Sequence, residues 1–178
     1  MKKISMLVVL FLLSGCLGMP KNMTPVKDFD VNRYVGTWYE IARLDHSFER
    51  GLTQVTAQYI LRDDGGVNVI NCGFSPKNDE WKEAQGKAYF VQERDKGYLK
   101  VSFFGPFYGS YVIFNLFPEK VSQQNYQYAF VSGPDLSYLW LLSRTPTVPS
   151  KVLTDFIAQS KALGFDTDAL ILVEQAKR

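Results

Sequence analysis

The fold of this 178-residue chain is decided by the stretch Gly36-Thr37-Trp38-Tyr39-Glu40-Ile41-Ala42-Arg43. A second stretch lies far downstream, Tyr138-Leu139-Trp140-Leu141-Leu142-Ser143-Arg144-Thr145-Pro146, and follows Gly133-Pro134-Asp135. Aromatic and aliphatic side chains dominate both stretches, and glycine or proline bounds them, as is typical of β-strands. The two stretches therefore predict strands that enclose a strand-rich region.

Strand-like segments fill the region between these two stretches, and no helical pattern interrupts them. The eight predicted strands are Thr37–His46, Thr53–Leu61, Val67–Phe74, Trp81–Val91, Leu99–Phe104, Gly109–Phe117, Tyr126–Ser132 and Tyr138–Ser143. Gly, Pro, Asn or Asp residues separate them, and the turn at 63–66 favours a tight hairpin. This spacing predicts an all-β antiparallel meander that closes into an eight-stranded up-and-down barrel, or a sandwich.

The pattern changes after Pro146 to that of one helix. The apolar stripe of this helix consists of Val152, Leu153, Phe156, Ile157 and Leu163. Pro149 suits a first helical turn, and Gly164 suits a helix stop. The sequence therefore predicts one C-terminal α-helix packed on the outside of the barrel, followed by a short final strand at Leu170–Val173.

An up-and-down meander brings Trp38 and Arg144 to the same end of the barrel, because its connections alternate between the two ends. A guanidinium over an indole ring stabilises by about 0.5–2 kcal/mol. We expect this end to be closed, with the turn at 63–66 beside it. The open mouth then receives the connections at Asp45–Leu52, Ser75–Glu80, Gly105–Tyr108 and Gly133–Ser137.

The side-chain alternation of strands predicts which residues face the lumen. The predicted ligand-binding residues are Trp140, Asn71, Tyr138, Leu142, Phe90, Tyr111 and Tyr128. The facing of Tyr111 and Tyr128 stays open at this point, and plain core packing is the alternative for each aromatic residue. For the set, an aromatic content of 15% favours a cavity.

One predicted mouth connection carries three aromatic residues, Phe104, Phe107 and Tyr108. This mouth lip either contacts lipid and gates the cavity, or folds back onto the rim. The segment Asp45–Arg50 gathers polar residues, but neighbours on a strand point in opposite directions and do not make a catalytic triad. The sequence therefore predicts a protein that is not an enzyme.

The composition argues against several classes of partner. The chain has 20 Lys and Arg against 18 Asp and Glu, without a long basic run, which argues against nucleic acid. One His and two Cys make most metal sites hard to assemble, so we expect no metal and no cofactor.

The first residues form a targeting segment. Lys2 and Lys3 precede the apolar run from Ile4 to Leu13, and the ending Leu13-Ser14-Gly15-Cys16 resembles the bacterial lipobox. We expect a signal peptide over residues 1–15, a lipidated N-terminus and tether over 16–30, and one domain over 31–178. The alternative is an ordinary signal peptide that leaves Cys16 free. If Cys16 is acylated, Cys72 has no partner, and we expect its thiol to be buried or shielded.

The Gly-x-Trp block at Gly36 and Trp38, together with the later block ending in Arg144, resembles the signature of the lipocalins. With the lipobox, the match covers nearly the whole mature chain and resembles the outer-membrane lipocalin lipoproteins of bacteria (Blc type), relatives of apolipoprotein D. The resemblance implies that Gly36, Trp38 and Arg144 form a structural clamp at the closed end. It also implies that Trp140 and Asn71 line the cavity.

The resemblance further implies a lipid-anchored carrier at the periplasmic face of the outer membrane. Leu17 stands where an inner-membrane retention signal would place Asp. The implied ligands are fatty acids or lysophospholipids, and the implied role is storage, repair or transport of membrane lipid. Two alternatives stay open: an enzyme, for which Glu40 is the one candidate carboxylate deep in the lumen, and a structural envelope protein with a filled barrel. Monomer and homodimer stay open as well.

The substitution Cys16→Ala tests the anchor. We expect it to stop acylation and to leave either uncleaved precursor or soluble periplasmic protein, because the thiol is the acceptor of the lipid. Fractionation of the cell envelope and labelling with palmitate measure the effect. A variant that still labels and still fractionates with the outer membrane would contradict the lipobox interpretation.

Overall fold

The computed structural model describes residues 17–118 and 125–176. The strands are β1 (Gly36–Arg43), β2 (Thr53–Leu61), β3 (Val67–Ser75), β4 (Glu80–Phe90), β5 (Tyr98–Phe104), β6 (Phe107–Phe117), β7 (Tyr128–Ser132), β8 (Leu139–Ser143) and β9 (Ile171–Leu172). The helices are α1 (Val31–Tyr34), α2 (Ser150–Ala162) and a 3₁₀-helix at Thr167–Ala169. The predicted signal peptide and Cys16 lie outside the described residues.

Strands β1 to β8 form a closed antiparallel barrel in sequence order. Pairing of β1 with both β2 and β8 closes it, with Trp38 opposite Ala57 and Glu40 opposite Leu142. Strand β9 pairs with β1 from outside the barrel. The prediction of an all-β up-and-down barrel with one helix behind it and a short final strand is confirmed.

The barrel separates two hydrophobic clusters. One fills part of the lumen and includes Ala129 and Val131, and the other lies between the barrel wall and α2 and includes Phe130. These three neighbours follow the alternation expected of a strand. The Phe130 ring meets Phe156 of α2 edge-on, with 5.1 Å between ring centroids. This contact holds the helix against the wall.

The C-terminal end of α2 follows the predicted stop signal. Gly164 adopts a φ of +96°, which L side chains rarely adopt. The amide of Phe165 donates to the carbonyl of Ser160 at 3.1 Å and that of Gly164 to Lys161 at 3.0 Å, so the last turn is capped. The buried stripe is narrower than predicted, because Ile157 is exposed whereas Phe156 and Ser160 are buried.

The seam between β1 and β2 is closed partly by the C-terminal segment. The two strands pair from Gly36 to Tyr39. Beyond that point the side-chain amide of Gln175 donates to the carbonyls of Glu40 at 2.7 Å and Val55 at 3.0 Å. One side chain therefore joins the two strands where their ladder ends.

Part of the N-terminal segment, which the sequence analysis describes as a tether over 16–30, packs on the barrel. Met23 is buried in the outer cluster, and Phe29 is buried in the lumen cluster. The amide of Val26 donates to the carbonyl of Ile113 at 2.9 Å. This segment leads into α1, whose N-cap Asp30 accepts from the amide of Asn32.

The predicted contact at the closed end is present. The Arg144 guanidinium carbon lies 4.0 Å from the centroid of the Trp38 ring. The same guanidinium donates to the carbonyls of Thr37 at 2.9 Å, Tyr34 at 2.9 Å and Tyr126 at 3.1 Å. Gly36 has a φ of +101°, and a Cβ there would lie 3.2 Å from Arg144 Nη1. Arg144 therefore holds several chain segments together, beyond the ring contact.

Cys72 is half-buried on β3, opposite Thr56 of β2 and Glu83 of β4, so its thiol is partly shielded. No helix among residues 17–118 and 125–176 has the length and hydropathy needed to cross a bilayer.

We expect Arg144→Ala to lower the free energy of unfolding by about 2–4 kcal/mol, because several carbonyls lose a charged donor and Trp38 loses its cover. Urea denaturation of the purified protein measures the change. Arg144→Lys should recover only part of the loss, since an ammonium keeps the charge without the planar fork. The matched control is Arg50→Ala, which breaks an exposed ion pair with Asp45 and should cost under about 1 kcal/mol. Equal losses for Arg144→Ala and Arg50→Ala would contradict the clamp.

Candidate binding cavity

An apolar cavity occupies the lumen. Its volume is about 110 Å³, whereas about 10–15 Å³ holds one water molecule. The aliphatic and aromatic wall residues from the barrel and α1 include Val31, Val55, Ala57, Val67, Val69, Ala88, Leu99, Val101, Phe103, Val131 and Leu142. The barrel is therefore not filled by its own side chains, and the apolar lining of the cavity suits an apolar ligand.

Four of the seven predicted ligand-binding residues lie on this wall: Trp140, Asn71, Leu142 and Tyr111. The alternation of β8 accounts for Trp140 and Leu142, which share a face. Asn71 faces the lumen opposite Ala57 of β2, and its Oδ1 is buried with no hydrogen-bond partner in the described part of the chain. A buried acceptor of this kind can take a hydrogen bond from a ligand or an ordered water.

The other three predicted residues lie off the cavity wall. Tyr128 shares a face with Phe130, on the side of α2, because Ala129 between them points into the barrel. Phe90 packs on Phe29, with ring centroids 6.2 Å apart, so the N-terminal segment separates it from the cavity. Tyr138 lies at the mouth and stacks on the ring of His46.

Three tyrosine hydroxyls meet near the closed end of the cavity. The Tyr111 hydroxyl shares hydrogen bonds with those of Tyr34 at 2.7 Å and Tyr59 at 2.8 Å. Burial raises the pKa of all three hydroxyls above the usual range, so they stay neutral. Of these residues the sequence reasoning identified only Tyr111. Tyr59 shares its strand face with Ala57, so the same alternation could have found it.

A charged cluster lies on the mouth side of the cavity. Arg43 is buried and donates to Glu40 Oε1 at 2.7 Å and to the carbonyl of Glu49 at 3.0 Å. Glu49 accepts a hydrogen bond from Trp140 Nε1 at 3.1 Å. Glu40 and Glu49 contribute to the cavity wall, whereas Arg43 lies behind them. Sequence reasoning missed Glu49, because it lies in a loop where strand alternation does not apply.

Burial is the main cause of the raised pKa values of the two carboxyls in this cluster. It raises the pKa of Glu40 to about 8, with a further contribution from the charge of Glu49, while Arg43 acts in the opposite direction. Burial also raises the pKa of Glu49, against the opposing effects of the Trp140 hydrogen bond and Arg43. Both buried carboxyls therefore bind a proton more readily than free carboxyls do.

His46 forms the centre of an aromatic stack at the mouth. Its ring lies between those of Phe48 at 5.3 Å and Tyr138 at 5.0 Å, and the Trp140 ring lies 4.7 Å away. Burial, followed by the nearby charge of Arg43, lowers the pKa of His46 to about 4. The imidazole is thus a neutral aromatic wall at neutral pH.

The predicted mouth lip has two exposed members. Phe104 and Phe107 face each other across the β5–β6 turn and are 82% and 62% exposed. Tyr108 instead packs against Tyr89, with Lys100 Nζ 5.1 Å from its ring centroid. The lip is therefore not folded back over the rim at its two phenylalanines.

Metal-binding groups are not assembled in the described residues. Among 17–118 and 125–176, no three His, Cys, Asp or Glu side chains are placed to hold a metal ion.

A closed small barrel with an apolar cavity in its lumen is typical of a binding protein for small hydrophobic molecules. The chain belongs to the lipocalin-like domain family, which matches residues 29–175. It is 61% identical over 175 residues to the outer membrane lipoprotein Blc of Vibrio cholerae serotype O1, covering 98% of this chain and 99% of the relative. It is 51% identical over 156 residues to the outer membrane lipoprotein Blc of Escherichia coli K12, covering 88% and 85%.

Among solved structures, insecticyanin from the tobacco hornworm Manduca sexta has the same fold. The TM-score is 0.69 at 20% sequence identity, covering 90% of this chain and 88% of that chain. The predicted resemblance to outer-membrane lipocalin lipoproteins is confirmed, and so is the predicted location in the outer membrane. Members of this family are binding and transport proteins and generally not enzymes.

The raised pKa of Glu40 predicts how stability depends on pH. The unfolded carboxyl loses its proton near pH 4.5 and the folded one near pH 8, so its contribution to stability falls as pH rises through this window. Glu40→Gln keeps an acceptor for Arg43 and should remove that fall. His46 acts in the opposite direction below its ordinary pKa of 6.5, so the difference between variant and wild type is the relevant quantity.

Urea denaturation at several pH values from about 5 to 9 measures this difference. The exposed Glu83→Gln on β4 is the matched control and should keep the pH dependence of the wild type. Parallel curves for wild type and Glu40→Gln would contradict the assignment.

Proposed function

We propose that this protein binds a fatty acid or a lysophospholipid in its barrel and stores or transports it for maintenance of the cell envelope. An acylated Cys16 anchors it to the periplasmic face of the outer membrane. The observation that carries the proposal is the cavity, whose wall is almost wholly aliphatic and aromatic. A single alkyl chain suits this wall, because each buried methylene contributes about 0.8 kcal/mol.

The few polar groups on the wall support a ligand with a polar end. Asn71 offers a buried acceptor, and the hydroxyls around Tyr111 lie near the closed end. Glu40 and Glu49 lie on the mouth side. Polar groups at few positions in an apolar lumen fix the orientation of an amphiphile more than they add to its affinity.

An enzyme is the second candidate, and Glu40 is the observation that favours it. A buried carboxyl with a raised pKa is a common general acid or base. Against this, Glu40 is bonded to Arg43, and the described cavity wall carries no Ser, Cys, His or Lys side chain. A structural protein with a filled barrel is the third candidate, and the cavity itself argues against it.

Trp140→Ala tests the ligand site. We expect it to weaken binding of palmitate or of palmitoyl lysophospholipid by about 1–3 kcal/mol, because the lipid loses contact area on the wall. Lipid titration of the protein stripped of co-purified lipid, followed by native mass spectrometry, measures affinity and stoichiometry. Trp140→Phe should retain more affinity, since it keeps an aromatic surface and loses only the donor to Glu49.

Tyr128→Ala is the matched control, because it removes an aromatic ring from the outer face of the barrel. It should bind lipid as the wild type does. Normal lipid affinity in folded Trp140→Ala would place the ligand outside the cavity and contradict the proposal.

A further inference from the structure

The N-terminal segment runs along the barrel from the mouth to the closed end. A Cβ on Gly18 would lie 3.6 Å from the carbonyl oxygen of Pro134, in the β7–β8 connection at the mouth. Eight residues later, Val26 bonds to Ile113, and Phe29 donates to the carbonyl of Asp95 at the closed end. The chain therefore enters the described structure beside the mouth.

This path fixes where a lipid anchor would be. Cys16 precedes Gly18 by two residues, and two residues span at most about 7 Å when fully extended. Acyl chains on Cys16 have to lie in the hydrocarbon of the bilayer. The mouth is consequently the end of the barrel that the anchor holds near the membrane surface.

Large apolar side chains are exposed in the mouth connections or on the strand ends that flank them. Phe48 is 60% exposed, Trp81 58%, Phe104 82%, Phe107 62% and Leu136 42%. We call these five residues the apolar rim. At the closed end, by comparison, the exposed large apolar residues of the described chain are Ile60 and Leu61 on β2, at 41% and 40%. Clustered exposed apolar side chains are typical of a surface that meets a partner or a membrane.

The charges beside the apolar rim are of both signs: two ion pairs lie there, together with Lys77, Asp79 and Asp135. Arg50 Nη2 lies 2.6 Å from Asp45, and Lys82 Nζ lies 3.7 Å from Glu80. These pairs leave little net charge to attract anionic head groups. Contact with a membrane here would depend on insertion of aromatic side chains at the interface, where Trp and Phe are favoured.

We propose that the apolar rim docks on the inner surface of the outer membrane, so that the barrel mouth opens directly onto the lipid. This inference rests on the proposed anchoring at Cys16. The anchor supplies proximity and the rim supplies orientation. A lipid then passes between bilayer and cavity without exposing its alkyl chain to water.

Trp81 is a native reporter of this orientation. The full-length acylated protein is bound to phosphatidylcholine vesicles whose acyl chains carry bromine, which quenches nearby indole rings. We expect bromine to quench the Trp81 contribution at least twofold, without dependence on ionic strength. Trp81→Phe combined with Leu61→Trp moves the reporter to the closed end, and its added fluorescence should be unquenched. Trp38 and Trp140 are the same in both proteins and cancel in the comparison.

The rim is tested by Phe104→Ser combined with Phe107→Ser, which should lower the quenching of Trp81 by more than half while vesicle flotation is unchanged. Ile60→Ser at the closed end is the control and should change neither. Protein that does not float with vesicles would contradict the anchor, and this inference with it. Protein that floats and binds lipid, but leaves Trp81 unquenched or has the Leu61→Trp reporter quenched, would overturn the docking alone. Circular dichroism of each variant verifies that it is folded.

Discussion

The guanidinium of Arg144 closes one end of the barrel, and the arrangement of the lumen depends on it. It covers the Trp38 ring and bonds to carbonyls that precede β1 and β7 as well as one within β1. These carbonyls lie at or near the starts of β1 and β7, and that of Tyr34 also accepts from Trp38 Nε1 at 2.7 Å. A single planar cation satisfies them together, which a shorter or non-planar side chain cannot do. The closed end is thereby cross-linked by one side chain, and we expect a ligand to enter at the mouth.

With one end sealed, the polar groups of the lumen are placed at two levels. The tyrosine hydroxyls near the floor satisfy one another. Near the mouth, Arg43 compensates Glu40, and Trp140 compensates Glu49. Such networks cost little when satisfied, and an unsatisfied member is costly. Asn71 is the wall residue whose acceptor has no partner in the described chain, and a donor group of a ligand could satisfy it.

The barrel could be predicted from the sequence because its strands are separated by clear turn signals and its first and last blocks are distinctive. Alternation along β8 correctly placed Trp140 and Leu142 on the cavity wall. Alternation could not predict whether Tyr128 faces inward or outward, because the direction of no other residue on its strand was known from the sequence. Phe90 follows the inward face of β4, but Phe29 covers it, and a contact across such sequence distance leaves no local signal. His46 and Glu49 lie in an irregular loop at the mouth. Side-chain alternation does not apply in such a loop, so it could not predict their positions.

The seam between β1 and β2 has a consequence for the order of events during biosynthesis. β1 is made early, but its neighbour β8, the outer strand β9 and the bridging amide of Gln175 all come from the last part of the chain. The hydrogen bonds of β1 are therefore complete only when Gln175 has reached the carbonyl of Glu40. Contacts of such long sequence separation slow folding, because the intervening loop has to be ordered first. A chain with this topology can close its barrel only after β8 has been made.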